Sequence, residues 1–218
     1  MTIKDHLTAI FDADRTMRAA ERQLLEAEAG KLEEQLTAAV EEAKGLSDDS
    51  EQSMRLERLA DLCAQVPGPN MADTLIRILD CEAPNIRVAA AEALVDVAFE
   101  RYAEVARAAE RHLERGQEGP AMGELPWVIA EIAEPSAVSL IARFLKLQDS
   151  TLVASALEAL AALGDPAALP HIEPLTDDGR AVALDEYDGD VTATIGELAT
   201  EVADNLEAIE NGEVLDDD

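Results

Sequence analysis

Leu75-Ile76-Arg77-Ile78-Leu79 and Ala90-Ala91-Glu92-Ala93-Leu94 return 66 residues later as Ile141-Ala142-Arg143-Phe144-Leu145 and Ala156-Leu157-Glu158-Ala159-Leu160. The same shift lays Pro69 over Pro135. A shift of 31 places Glu134-Pro135 over Asp165-Pro166, with Val138, Ile141 and Phe144 over Leu169, Ile172 and Leu175. Each unit opens with an acidic or Gly residue and a proline. A short apolar helix, a polar turn and an Ala-rich second helix follow. Self-similarity at this period is the signature of stacked helix pairs, because one pair cannot bury its apolar face alone whereas neighbours along an axis can. The units read as 69–99, 101–133, 135–164 and 166–208. The last is interrupted by an insertion from Thr176 to Asp190, after which Val191, Ile195, Leu198 and Val202 resume helical spacing.

Composition agrees with helices throughout. Of 218 residues, 48% are hydrophobic and only 3% aromatic. Ala and Leu dominate; both are strong helix formers, and small residues let helices approach closely. Alternating runs of β-branched residues, which a sheet protein would need, are missing. The expected fold is all-α: an α-solenoid with a long N-terminal helical arm.

That arm is residues 1–46. From Leu25 a narrow apolar seam continues through Ala29, Leu32, Leu36, Ala39, Ala43 and Leu46. Upstream, Ile3, Leu7, Ile10 and Met17 follow similar spacing in a different register. Asp12 and Asp14 interrupt there, and Asp14 is a candidate N-cap for the longer helix. The seam suits either a weak homodimer through residues 1–46 or folding back on the next helix. Its alanines favour folding back. Gly45 and Ser47-Asp48-Asp49-Ser50 end the arm, and Pro67-Gly68-Pro69 stops the helix after it. The solenoid spans 47–210, and the acidic tail, 211–218, reads as disordered.

Seventeen Lys plus Arg against 47 Asp plus Glu give a net charge of −30. A field of that sign repels phosphate backbones and anionic lipid surfaces, so no nucleic acid and no membrane partner is expected. The charge suits either solvation in high salt or recognition of a basic partner, and both readings stay open. No apolar run reaches the length of a membrane helix, and the N-terminus lacks a signal-peptide pattern, so the chain reads as cytoplasmic. Cys63 and Cys81 stand in apolar helical contexts without neighbouring His, which makes neither a metal site nor a disulfide framework.

Asn85-Ile86-Arg87-Val88-Ala89-Ala90-Ala91-Glu92-Ala93-Leu94 and Gly164-Asp165-Pro166-Ala167-Ala168-Leu169-Pro170 resemble HEAT repeats, in the short HEAT-like class named after phycobilisome lyases. In that class the second helix reads Val-Arg followed by spaced Ala and Ala-Leu, and a Gly-Asp-Pro turn opens the next unit. Here Arg87-Val88 stands in reversed order, Val153 replaces the Arg, and Pro126 and Trp127 fall inside the second helix of the second unit. The resemblance covers about residues 51–208 and implies a scaffold, adaptor or regulatory surface. Three relatives with specific chemistry fit poorly. Bilin lyases need aromatic lining, and this chain has one Trp and two Tyr. HEAT-like iron hydroxylases carry His-Glu pairs, whereas His6, His112 and His171 are each followed by an apolar residue. HEAT-like DNA glycosylases present a basic face.

No nucleophile, base and Gly-rich loop converge, so no catalytic constellation, cofactor or metal site is expected. The insertion's carboxylates lack the ligand spacing of a calcium loop and read as a solvated loop. Arg107 to Arg115, around His112, reads as a solvated face on which Arg111 and Arg115 can pair with Glu110, Glu114 and other nearby acids at helical spacing. The candidate site is instead a protein-binding surface on the second helices. Trp127, flanked by Glu124 and Glu131, is either an anchor or core filler, and Glu92 and Glu158 occupy matching repeat positions. The expected function is a non-catalytic adaptor binding another protein. Alternatives are a subunit that self-assembles through the arm and a lyase-like cofactor chaperone.

Overall fold

A computed structural model describes residues 2–116, 119–132, 134–183 and 192–212. The chain begins with α1 (Ile3–Leu25). Its N-terminus is closed by a capping box in which Thr2 Oγ1 accepts from Asp5 N and the Asp5 carboxylate accepts from Thr2 N. The expected interruption at Asp12 and Asp14 does not occur. Asp14 is no N-cap: its carboxylate accepts from Arg18 Nε at 2.9 Å, and Asp12 pairs with Arg15. Arginines three and four residues on turn both acids into supports of the helix interior. The break falls at 26–28, before α2 (Ala29–Lys44).

The two halves of the arm have different fates. Leu32, Leu36, Val40 and Ala43 of α2 are buried, chiefly against α3 (Asp49–Ala64), so this half folds back. No residue of α1 is buried. Asp48 caps α3, accepting from the Ser50 and Glu51 amides at 3.0 Å.

After the Pro67-Gly68-Pro69 stop, α4 (Pro69–Leu79) presents an almost wholly buried face of Met71, Leu75, Ile76, Ile78 and Leu79. Gly68 has φ 138°, a backbone region open chiefly to glycine. The next helix, α5 (Pro84–Arg115), runs through the expected unit boundary at residue 100. No turn separates the units; the boundary is a kink at Arg101, whose φ is −140° and ψ 47°. The kink is tied down from outside, with Arg101 Nη2 donating to Ala64 O at 2.9 Å and Nε to Glu104, which in turn accepts from Gly68 N.

The chain continues with α6 (Pro120–Ala130), the short α7 (Ala137–Ile141), a 3₁₀ turn at Phe144–Lys146, and α8 (Ser150–Leu163). Asp149 caps α8, and Gly164 ends it in the left-handed conformation. The fourth unit opens with α9 (Leu169–Ile172) between two 3₁₀ turns. The insertion is not wholly a loop. β1 (Ala181–Ala183) pairs antiparallel with β2 (Thr192–Thr194), Val182 is buried, and Arg180 Nη1 donates to Leu147 O and Gln148 O at 2.9 Å. The remainder of the insertion, 184–190, lies outside the described residues, as does 213–218 of the acidic tail. A second capping box, Thr194 with Glu197, starts α10 (Ile195–Glu210).

Among the described residues the architecture is all-helical apart from this hairpin. Helices α3, α5, α6, α8 and α10 form a row in which each touches the next. Helices α2 and α4 pack against its start, and α7 and α9 against its later members. Alanines at closest approach, among them Ala60, Ala90, Ala108, Ala109, Ala156 and Ala159, are fully buried. Phe144, Leu75, Leu94, Leu125 and Ile129 fill the volume between the layers. Among the described residues no helix is long and apolar enough to cross a membrane.

The Arg107–Arg115 stretch differs from its sequence reading. Arg111 reaches across to α4 and forks onto Asp73, at 2.7 Å from Nη2, and Arg115 lies 3.9 Å from the same carboxylate. Glu110 and Glu114 pair instead with Arg143 of the following unit. His112 is buried rather than solvated, and among the described residues its Nε2 has no hydrogen-bond partner. Desolvation pushes its pKa below the usual histidine value, against Asp80 and Asp73, which raise it; Arg115 adds to the lowering. Helical spacing alone could pair these groups only along their own helix, whereas packing offered partners on the neighbours.

Candidate functional site

The site is built from Pro126 outward. A proline beyond the first turn of a helix removes a backbone donor and tends to bend or stop it. Instead α6 starts at Pro120, which fills the first helical position, and runs on through the buried Pro126. Pro126 withdraws the amide that Met122 O would accept, and its ring crowds the preceding turn. One residue on, Gly123 O accepts from Ser155 Oγ of α8 at 2.6 Å. Ser155 Oγ in turn accepts from the indole Nε1 of Trp127 at 3.1 Å. A carbonyl on α6, a hydroxyl on α8 and the chain's single tryptophan thus form one relay that holds the ring.

Trp127 remains 41% exposed. Between α5 and α6 it borders a cleft of about 360 Å³, whose apolar floor is Ala91, Val95, Trp127 and Val128. Four carboxylates rim the cleft: Glu92 and Asp96 on α5, Glu124 and Glu131 on α6. Arg87 donates from Nε to Glu124 Oε1 at 3.1 Å and so neutralises one of them. Among the described residues no cation lies within ion-pairing distance of Glu92, Asp96 or Glu131. The cleft therefore joins an oriented aromatic surface to unpaired negative charge, a combination that attracts a cation carried on an apolar stem.

Four of the five residues singled out in the sequence, Glu92, Glu124, Trp127 and Glu131, converge on this cleft from two helices. The fifth, Glu158, does not line it. It occupies the repeat-equivalent position on α8, with its side chain exposed although neighbouring bulk desolvates the carboxyl and pushes its pKa up. Asp96, one turn beyond Glu92, and Ser155 escaped the sequence reading. Asp96 was recoverable from the i, i+4 spacing. Ser155 carries no local signal, because its role exists only where α8 meets α6.

Of the two cysteines, Cys63 is buried and Cys81 half-buried. Burial pushes the Cys63 thiol up to about 12, and Cys81 is also raised, chiefly by burial, so neither is a thiolate near neutrality. Among the described residues no cluster of His, Cys, Asp and Glu has the arrangement of a metal site.

Comparison with known proteins adds little. No protein-family model matches the chain, and no curated protein matches it. Among solved structures, the crystal structure of an engineered protein is similar over 93% of each chain, at 16% identity and a TM-score of 0.33. A likeness at that score carries no argument about fold or function.

Proposed function

We propose that residues 51–208 form a HEAT-like α-solenoid and that the protein is a non-catalytic adaptor, holding a protein partner on its row of second helices. Three features support the repeat reading: the 66-residue self-similarity, the serial contacts from α3 to α10, and the matched roles of Arg77 and Arg143. These two arginines are 66 residues apart, and each reaches back past one intervening helix to an earlier one, Arg77 to Glu41 of α2 and Arg143 to Glu110 and Glu114 of α5.

The observation that carries the adaptor reading is the cleft itself. Glu92, Glu124, Trp127 and Glu131 meet around an indole that is anchored by Ser155 yet left uncovered. An anchored, part-exposed Trp beside a polar rim is the usual form of an interface hot spot. Affinity capture from the source cells at native salt, with wild type beside Trp127→Ala and Glu131→Lys, tests it. A stoichiometric partner lost in both variants, with helical content unchanged, supports the assignment. A partner indifferent to both moves the contact elsewhere.

A second reading, self-assembly through the arm, rests on α1. Ile3, Leu7, Ile10, Phe11, Met17 and Leu24 are all exposed on a helix that buries no residue. Its four cationic and four anionic side chains balance, so two copies of this otherwise acidic chain meet there with least repulsion. Mass measured across concentrations, with Leu7→Asp as control, decides it: a monomer throughout retires this reading.

A further inference from the structure

The Trp127 cleft does not end at α5. On the other side of that helix a second groove, of about 740 Å³, opens between α3 and α5. Its lining is mostly polar, with Arg58, Asp61, Gln65, Glu100 and Arg101 around an apolar part made of Ala64, Ala89, Ala93, Phe99 and Leu25 at the end of α1. The two grooves share Glu92 and Asp96. Residues 92, 95, 96 and 99 lie at i, i+3, i+4 and i+7, so they form one stripe of α5 that ends in Phe99 and has Trp127 of α6 on one flank. Phe99 is 82% exposed, immediately before the Arg101 kink.

The cations near this face are already engaged. Arg58 pairs with Glu21 and Asp61, Arg101 with Glu100 and Glu104, and Arg87 with Glu124. What is left over is negative: Glu92 and Asp96 on the ridge and Glu131 at the end of α6.

Resting on the adaptor reading, we infer that the two grooves are one docking face for a cationic amphipathic helix of a partner protein. Its apolar side chains seat in the Phe99 and Trp127 grooves, and its Arg or Lys side chains meet Glu92, Asp96 and Glu131. The troughs lie between packed helices and offer no free sheet edge, so the fitting ligand is a helix read through i, i+3, i+4 and i+7 anchors rather than an added strand. Charge excludes the main polyanionic alternatives, since nucleic acid and anionic lipid are repelled by the same carboxylates. Arginine suits the indole best, because its planar guanidinium can stack on the ring while donating to a carboxylate.

The chain's single Trp is a built-in reporter. The full-length protein is titrated with a synthetic amphipathic helix of about five turns made of leucine and arginine. Parallel titrations use its glutamate-for-arginine counterpart and a scrambled peptide of the same composition. The expected result is saturable one-to-one binding of the patterned cationic helix alone, with a blue shift of Trp127 emission and weakening by salt. Phe99→Ser, which removes no charge and no core, is expected to weaken binding about tenfold. Glu92→Gln with Asp96→Asn should weaken it similarly. Equal binding of the scrambled peptide, or unchanged binding by Phe99→Ser, reveals general adsorption to an acidic surface and overturns the inference, as does an unshifted Trp127. A partner captured in a Trp127-dependent manner from a protein that ignores the cationic helix would overturn this inference while leaving the adaptor reading intact.

Discussion

Residues 69–99 and 135–164 share a sequence register, yet they make different structures. In the first, α4 is a continuous helix of eleven residues. In the second, the equivalent stretch is broken into the five-residue α7 and a separate 3₁₀ turn. The apolar positions are nevertheless buried in both: Leu75 and Ile141 are fully inaccessible, as are Leu94 and Leu160. Their surfaces diverge further. Glu92 rims a cleft opposite Trp127, whereas its counterpart Glu158 lies outside it, because the tryptophan stands on α6, between the two units. Repetition thus conserves what faces the core, while the neighbour decides what faces out.

The strongest test of the shared part is truncation. Leu75→Ala and Ile141→Ala should each lower unfolding free energy by about 2–5 kcal/mol in denaturant titration, since both leave a cavity in close-packed surroundings. A cost below about 1 kcal/mol at Ile141 would show that the broken unit repacks and that the two are not equivalent. The divergent part is tested at the surface. Trp127→Ala should reduce partner affinity by about 2 kcal/mol or more with circular dichroism unchanged, while Glu158→Gln leaves affinity within about twofold. Equal losses at both would mean that the partner's footprint extends a full unit beyond the cleft.

Smaller effects sharpen the same contrast. Ser155→Ala removes the acceptor for the indole and the donor to Gly123 O; about 0.5–1.5 kcal/mol of stability should go, with a changed Trp127 emission in the free protein. An unaltered spectrum would mean that packing alone orients the ring. His112 supplies a pH signature between the two units. Its lowered pKa means that the folded chain binds this proton more weakly than the unfolded one, so its stabilising contribution is present above about 6.5 and fades as pH falls below that value. Comparing His112→Gln with wild type isolates this slope from the opposite effect of protonating surface carboxylates. Parallel pH profiles for the two proteins would refute the assignment.

How much of this was legible in the sequence depends on the range of the interaction. Helices and the Pro67-Gly68-Pro69 stop were readable, because each is set by residues within one turn of the chain. The repeat register placed Glu92, Glu124, Trp127, Glu131 and Glu158 on second helices; the first four line one cleft, and Glu158 lies outside it. Where partners lay on other helices, local rules missed them: Arg111 went to Asp73 of α4 and His112 went inside.

The sequence by itself determined that the chain is helical, strongly acidic and internally repetitive, since propensity, charge and periodicity are properties of the residues and their order. Only the tertiary structure decided that α2 folds back while α1 stays uncovered. It alone joined units one and two through a kink instead of a turn, and it alone placed a serine of α8 where it holds the tryptophan of α6. Those outcomes turn on which surfaces bury together and which hydrogen-bonding groups find partners across them, and no stretch of chain carries that information alone.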